Sequence, residues 1–175
     1  MLITDDYRAL NKELHKTGDY GVLGGRLAPS VLGLCEQMGT RDILDYGCGQ
    51  RLLEKALGFD IKNYDPAIEG LEAPPEPADL VVCGDVLEHI EPEMLDAVLD
   101  DLRRVTRRTG LFVINTGPAK KILADGRNAH LIQASWRWWS PKIVERFDLL
   151  KMEKMGHDIW LIVHKDNHLN GERYE

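Results

Sequence analysis

Two closely spaced glycines after a short apolar segment constrain the fold of this chain more than any other feature. Residues 41–48 are predicted to form a strand, and Asp45-Tyr46-Gly47-Cys48-Gly49 lies at its carboxyl end. Gly47 and Gly49 leave room for a ligand to lie against the backbone, and Asp45 can accept a hydrogen bond from a ligand's amino group. The segment therefore predicts a strand that ends in a ligand-binding turn.

Extended and helical segments alternate along the remaining sequence. Strands are predicted at 41–48, 60–64, 79–83, 111–115, 149–154 and 159–165, and helices at 4–16, 28–38, 50–57, 92–106 and 140–147. Alternation of this kind indicates a parallel sheet with helices on both faces, and the last two strands form an antiparallel hairpin. We expect one domain over 1–175, with N-terminal helices at 1–40, an α/β core at 41–165 and a polar tail at 166–175.

Charge and cysteine content exclude several classes of protein. The net charge of −7 argues against a broad electrostatic contact with duplex nucleic acid or an anionic membrane. Three cysteines without a CxxC pair predict neither a disulfide framework nor a zinc site, and no metal site is expected. The polar N-terminus and the lack of a long apolar run predict no signal peptide and no membrane span, hence a cytoplasmic protein.

A second acidic residue, Asp65, ends the next predicted strand, where a carboxylate can accept both hydroxyls of a ribose. A dinucleotide site would require a third glycine three positions after Gly49, but Leu52 is there, which disfavours a nicotinamide cofactor. S-adenosylmethionine carries a ribose and no phosphate, so it requires no third glycine. The pattern therefore favours S-adenosylmethionine.

The chain resembles the class I S-adenosylmethionine-dependent methyltransferases over about residues 2–165. Residues 45–49 resemble the first motif of that family, Asp65 matches its acidic residue after the second strand, and 79–90 resembles its fourth-strand segment. Residues 125–132 with Trp138 and Trp139 also resemble small methyltransferases of bacteriophages and prophages. The resemblance implies a Rossmann-like fold, S-adenosylmethionine as cofactor and S-adenosylhomocysteine as product.

The resemblance also implies roles for particular residues. Gly47 and Gly49, with Cys48 between them, would lie under the methionine part of the cofactor. Asp45 would face its amino group and Asp65 would hold the ribose. The sulfonium side would be lined by Gly84, Asp85 and Val86, and Tyr20 would close over the cofactor.

One segment departs from the family pattern. Only residues 66–78 separate Asp65 from the fourth-strand segment, and three of them are prolines, so we expect the third strand of the family to be missing. The sheet order would then be 2-1-4-5-7-6 in the family's numbering, with an exposed edge that can pair with another copy of the chain. The usual adenine contacts would have no counterpart, and residues 67–75 would supply an apolar substitute.

The long segment 117–135 is the candidate region for the methyl acceptor. His130 is a candidate general base, together with Asp85, and the alternative is that His130 only anchors the loop. Candidate acceptor-binding residues are Asn115, Arg127, Asn128 and Trp139. The tryptophans can instead pack the following helix onto the sheet. Glu88 and His89 are expected at the surface or behind the site.

These observations predict a methyltransferase that acts on a hydroxyl or amine of a small acceptor such as a sugar, nucleotide or metabolite. The alternative is a catalytically silent protein of the same fold that binds a nucleoside or a partner protein.

Overall fold

Six strands form one sheet in the computed structural model, which describes residues 2–16 and 23–165. The strands are β1 (Ile43–Tyr46), β2 (Lys62–Tyr64), β3 (Ala78–Gly84), β4 (Thr106–Asn115), β5 (Asp148–Met155) and β6 (Asp158–His164). Their order is β2-β1-β3-β4-β6-β5. The first four are parallel, and β6 runs antiparallel to both β4 and β5. The α/β fold and its terminal hairpin are confirmed.

This order is explained by the predicted absence of the strand that is usually third in the family that the sequence resembles. Residues 65–77, all of which the structure describes, contain no strand, so β2 is left at one edge of the sheet. With the remaining strands renumbered along the chain, the observed order is the predicted one. Prolines at 74, 75 and 77 lack the backbone donors that an additional strand would need.

Helices cover both faces of the sheet. They are α1 (Asp5–Lys16), α2 (Gly24–Met38), α3 (Leu52–Leu57), α4 (Leu95–Val105) and α5 (Trp136–Val144), with short 3₁₀ turns at Leu87–His89 and Pro92–Met94. The central strand β3 is buried on both sides: Val81 and Cys83 belong to the core that includes α4 and α5, and Leu80 and Val82 to the core that includes α2. None of the helices in the described segments has both the length and the apolar character of a membrane span.

Two elements begin earlier than predicted, and in each case a tertiary contact sets the boundary. Strand β4 begins at Thr106 instead of 111, because it pairs with β3 from Thr106 onward. Arg107 and Arg108 therefore lie in a strand and not at the end of a helix. Helix α2 begins at Gly24 instead of 28, where a Cβ would come within 2.9 Å of the Leu53 backbone nitrogen. The glycine thus permits close packing of α2 on α3.

The tryptophan-rich segment precedes the helix predicted at 140–147, but it forms the first turns of α5. The helix begins at Trp136 and continues through Pro141. Trp139 and Ile143 are completely buried on the sheet, and this burial compensates for the single backbone hydrogen bond that Pro141 cannot donate. Tyr20 lies outside the described residues.

Candidate active site

A cleft of about 810 Å³, including its open mouth, lies at the carboxyl ends of β1, β2 and β3 beneath α1 and α2. This is the edge at which parallel α/β sheets bind ligands. Eight of the nine residues predicted to bind the cofactor line it: Asp45, Gly47, Cys48, Gly49, Asp65, Gly84, Asp85 and Val86. The fold thus brings together residues from three separate parts of the sequence.

Gly47 forms the turn that begins the cleft wall after β1. Its φ of +81° is in the region that favours glycine, and a Cβ there would lie 2.4 Å from Cγ2 of Val86. The backbone nitrogens of Gly47 and Cys48 both donate to the carbonyl oxygen of Tyr64, at 2.8 and 3.0 Å. The glycine is therefore required by the turn conformation and by the close approach of Val86. Burial raises the pKa of the Cys48 thiol, which keeps it protonated.

Asp65 is buried directly after β2, and backbone donors fix its carboxylate. Oδ2 accepts a hydrogen bond from the Gly49 nitrogen at 3.1 Å, and Oδ1 accepts one from the Ala67 nitrogen at 2.9 Å. Each oxygen keeps a further lone pair. The side chain is therefore held in one orientation and can still accept hydrogen bonds from a ligand in the cleft.

Asp45 is the second buried carboxylate of this wall. Burial raises its pKa to about 7, and the negative charges of Asp65 and Glu54 contribute to the increase. A buried carboxylate with like charges around it gains most from a cation. The site is therefore electrostatically prepared for a positively charged ligand group.

The turn after β3 forms the opposite wall. Asp85 has a φ of +61°, a conformation that is costly for a residue with a side chain and is often found at functional sites. At Gly84 a Cβ would lie 2.6 Å from Cδ1 of Leu27 in α2. The backbone at this turn is therefore held close to the helix that covers the cleft.

Four ligating groups converge beyond this turn: Asp85, Glu88, His89 and His130. One ligand atom from each lies within 4.8 Å of the others. Of the two positions expected for Glu88 and His89, at the surface or behind the site, the structure excludes the surface: Glu88 is completely buried, and His89 is 8% exposed. The spacing i, i+3, i+4 of the first three, in Asp85-Val86-Leu87-Glu88-His89, was the available sequence signal, but it does not reveal that His130 lies beside them.

Hydrogen bonds to backbone groups orient both imidazoles. His89 Nδ1 lies 2.7 Å from the Ala129 carbonyl oxygen, and His130 Nδ1 lies 2.7 Å from that of Gly117. Since a carbonyl oxygen only accepts, each Nδ1 is the donor, which places the lone pair of each neutral ring on Nε2. The rings meet edge to face, with centroids 4.6 Å apart.

Among the described residues, only one of the two carboxylate oxygens of Glu88 has a hydrogen-bond partner. Its Oε1 accepts from the Asn115 backbone nitrogen at 2.7 Å, while Oε2 has no hydrogen-bond partner in the described part of the chain. Burial, followed by the adjacent charge of Asp85, raises the pKa of Glu88 well above its usual range.

Helix α1 closes the cleft from above and is tied to the cluster. The Tyr7 hydroxyl donates to the His89 carbonyl oxygen at 2.5 Å, and Thr4 donates from its nitrogen and its hydroxyl to Glu91. Ile3, Tyr7 and Asn11 face the cleft. Burial raises the pKa of Tyr7 to about 12, so its hydroxyl remains a donor at neutral pH.

The residues predicted to bind the acceptor do not line the cleft. Asn115 donates to the Asp158 carboxylate, and Asn128 both accepts from and donates to the backbone of Ala119, so both side chains are engaged within the protein. Arg127 is exposed and pairs with Asp125 at 2.7 Å. Trp139 is completely buried in the core. The structure does not place these four side chains on the wall of the cleft, whereas it does place His130 beside Asp85 and His89.

Comparison with protein families gives one match that spans most of the chain. Residues 7–165 match the model of a family described as a methyltransferase domain. No curated protein matches the sequence.

Solved structures with a similar fold include enzymes with different substrates. The 1,6-didemethyltoxoflavin-N1-methyltransferase of Burkholderia thailandensis, with its substrate and S-adenosylhomocysteine bound, has a TM-score of 0.63 at 15% identity over 93% of this chain and 90% of that one. The magnesium protoporphyrin IX methyltransferase of Synechocystis PCC 6803, with S-adenosylmethionine bound, has a TM-score of 0.56 at 16% identity. The match covers 82% of this chain and 81% of that one. The 16S rRNA methylase RmtB has a TM-score of 0.54 at 16% identity, and the match covers 95% of this chain and 77% of that one. At these identities the likeness establishes the fold.

Proposed function

Because the chain belongs to the methyltransferase domain family over residues 7–165, we propose that it transfers the methyl group of S-adenosylmethionine to a hydroxyl or amine of a small acceptor. The observation that carries this proposal is the pair of buried carboxylates, Asp45 and Asp65, at the ends of neighbouring parallel strands in one cleft. The cofactor provides a methyl group on a positively charged sulfur, from which an acceptor can displace it.

The residues of the cleft are suited to this cofactor. The buried carboxylate of Asp45, whose pKa is raised to about 7, would be stabilised by an ammonium group such as that of the methionine part. Asp65 is oriented by two backbone donors and retains lone pairs for the two ribose hydroxyls. Pro66 and Ala67 line the cleft next to Asp65 and offer an apolar contact for adenine in place of the missing strand.

The cluster beyond β3 would act on the acceptor. Asp85 lies on the cleft wall, and the lone pair of His130 is on Nε2 because Nδ1 donates to Gly117. We assign to His130 the acceptance of the acceptor's proton, with Asp85 beside it to stabilise the resulting imidazolium. The chain's other contribution is positioning, which is effective when the leaving group is as good as a sulfonium.

Charge distribution supports a small acceptor over a large nucleic acid. The basic residues at the end of α4 and the start of β4 are at the amino end of a parallel strand, opposite the edge with the cleft. They are also engaged: Arg104 pairs with Asp101, Arg107 with Asp42, and Arg108 with Asp79. Arginines that are already paired with carboxylates, at the edge of the sheet opposite the cleft, would attract the phosphates of a nucleic acid only weakly.

Calorimetric titration with S-adenosylhomocysteine tests the proposal. We expect micromolar binding by the wild-type protein and a loss of tenfold or more in Asp65→Asn, which keeps the shape of the side chain but only one acceptor oxygen. Asp60→Asn is the matched control, since Asp60 is exposed at the start of the same region and should leave binding unchanged. Absence of binding by the wild type would instead favour a silent protein of this fold that binds another nucleoside or a partner.

The acceptor is tested by release of S-adenosylhomocysteine across a panel of sugars, nucleotides and metabolites. For an active acceptor we expect His130→Asn to lower kcat at least a hundredfold, because the amide keeps a donor near the position of Nδ1 but lacks Nε2. Full turnover by His130→Asn would exclude the role proposed for this residue. The three cysteines are buried and unpaired, which supports a reducing compartment such as the cytoplasm.

A further inference from the structure

The cluster of Asp85, Glu88, His89 and His130 has features that proton transfer alone does not require. Two imidazoles and two carboxylates converge, although one carboxylate would be enough to stabilise one imidazolium. Three of the four side chains are buried, so this is not a solvated acidic patch.

The histidines are arranged as metal ligands usually are. A ligating imidazole generally donates its other ring nitrogen to a carbonyl or carboxylate, which fixes the tautomer and strengthens the lone pair. Here His89 donates to Ala129 and His130 to Gly117, each at 2.7 Å. The histidines come from segments that are 41 positions apart, and these bonds orient both rings into one cluster.

Glu88 supplies an independent indication. Its side chain is completely buried, its Oε2 has no hydrogen-bond partner in the described residues, and the carboxylate of Asp85 belongs to the same cluster. Two adjacent carboxylates that only accept hydrogen bonds repel each other unless a proton or a metal cation lies between them. Oε1 is already bound by the Asn115 nitrogen, so Oε2 is the oxygen that remains for a cation.

We propose that Asp85, Glu88, His89 and His130 bind one divalent transition-metal ion at the β3 end of the cleft. The mixed set of nitrogen and oxygen ligands suits Mn²⁺, Fe²⁺, Co²⁺ or Zn²⁺ better than Mg²⁺ or Ca²⁺, which prefer oxygen ligands alone. The inference goes beyond the proposed function, since the ion's binding requires neither cofactor nor acceptor.

The size of the cluster is compatible with such an ion. For bonds of about 2.1 Å, ligand atoms lie ~3.0 Å apart when adjacent and ~4.2 Å apart when opposite in an octahedron. The four atoms here lie within 4.8 Å of one another, a span that exceeds the octahedral maximum by only about half an ångström. Four protein ligands leave two octahedral positions, and Asp85 and His89 also line the cleft, so these positions would be open to a ligand there.

The ion would change how the cluster acts on an acceptor. It would occupy the lone pair of His130, so His130 could not accept the acceptor's proton. The acceptor hydroxyl would instead bind the metal directly, which would lower its pKa. This consequence rests on the proposed function; the metal site itself does not.

Titration of the chelator-treated protein with Co²⁺ tests the site without cofactor or acceptor. We expect one Co²⁺ per chain, with visible absorption bands typical of mixed nitrogen and oxygen coordination. His89→Asn and His130→Asn should each weaken Co²⁺ binding at least tenfold, because asparagine keeps a donor near Nδ1 and removes Nε2. His164→Asn, at an exposed position in β6, is the matched control and should bind Co²⁺ as the wild type does.

Two outcomes would overturn the proposal: absence of stoichiometric Co²⁺ binding by the wild type, or equal binding by both cluster variants. Circular dichroism and S-adenosylhomocysteine titration of each variant verify that it is folded. If one histidine variant does not fold, Glu88→Gln provides the same test, since the amide can still accept from Asn115 and has no charge for the ion. Loss of Co²⁺ binding with retained S-adenosylhomocysteine binding would separate the metal site from the cofactor site.

Discussion

Asp45 and Asp65 lie in one cleft, and the charge of Asp65 raises the pKa of Asp45. Strands β1 and β2 pair in parallel with Tyr46 opposite Tyr64, which leaves Asp65 just beyond the end of β2. Burial makes the largest contribution to the pKa of about 7 at Asp45, and Asp65 the next largest. Near neutral pH, Asp45 is therefore partly protonated in the free protein and becomes fully ionised only when a cation approaches.

Binding of S-adenosylhomocysteine should consequently weaken as pH falls below about 7. Ionised Asp45 attracts the ligand's ammonium group, and protonation removes that attraction. We expect the affinity to approach a loss of about tenfold per pH unit well below pH 7, and to change little above pH 8. Calorimetry from pH 5.5 to 8.5 measures this dependence.

Asp45→Asn tests whether this carboxylate is the group responsible for the pH dependence. The variant should bind weakly at all pH values, with a shallower pH dependence than the wild type, whereas Asp60→Asn should retain the wild-type dependence. An unchanged slope in Asp45→Asn would show that another group is responsible.

Gly47→Ala should destabilise the protein by about 1–3 kcal/mol, because alanine is strained at a φ of +81° and its Cβ would be 2.4 Å from Val86. Gly33→Ala is the matched control: it lies inside α2 with nothing within 4 Å of the added Cβ. That substitution should stabilise by about 0.5–1 kcal/mol. Urea unfolding monitored by circular dichroism measures both changes.

Adding Val86→Ala to Gly47→Ala should restore only part of the lost stability, since it relieves the contact but not the backbone conformation. Complete restoration would mean that the positive φ at residue 47 carries no cost.

Glu88→Gln should stabilise the metal-free protein by about 1–3 kcal/mol, in the presence of a chelator. The amide keeps an acceptor for the Asn115 nitrogen, cannot become charged in this buried position, and places a donor beside the Asp85 carboxylate at every pH. Thermal unfolding with and without excess Co²⁺ measures the effect, and added Co²⁺ should raise the Tm of the wild type but not of the variant. A destabilised variant would indicate that Glu88 is already satisfied in the metal-free protein.

Tyr7→Phe should loosen the helix that covers the cleft. It removes the hydroxyl that donates to the His89 carbonyl oxygen, at a cost of about 0.5–1.5 kcal/mol. Hydrogen exchange should accelerate at the amides of α1 and stay unchanged in β3 and β4. Equal acceleration in the sheet would mean that the bond stabilises the whole domain and not mainly this helix.

Strong local patterns made much of the fold predictable. The apolar run Leu80–Cys83 identifies a strand that is buried on both faces, and the prolines after Asp65 account for the missing strand. Element boundaries were less accurate where a long-range contact decides them. The sequence near Thr106 contains no signal for a strand until it is known that β3 lies alongside.

The cofactor side of the site was more predictable from the sequence than the acceptor side, for the same reason. Asp45, Gly47, Gly49 and Asp65 occupy strand ends, so a local pattern was sufficient to place them in the cleft. Trp139 was a candidate by residue type alone, and its burial beneath the helix became evident only from packing. His130 was identified as a candidate, but the sequence did not indicate that Glu88 and His89 lie beside it.

The sequence by itself determined the alternation of strands and helices, the glycine turn after β1 and the acidic residue after β2, because each depends on neighbours within a few positions. Only the tertiary structure decided that His130 meets Asp85, Glu88 and His89. That meeting depends on a loop fixed by hydrogen bonds to Gly117 and Ala129, between groups 13 and 40 positions apart. Such contacts form only when the sheet has brought the ends of β3 and β4 together, and no local pattern encodes them.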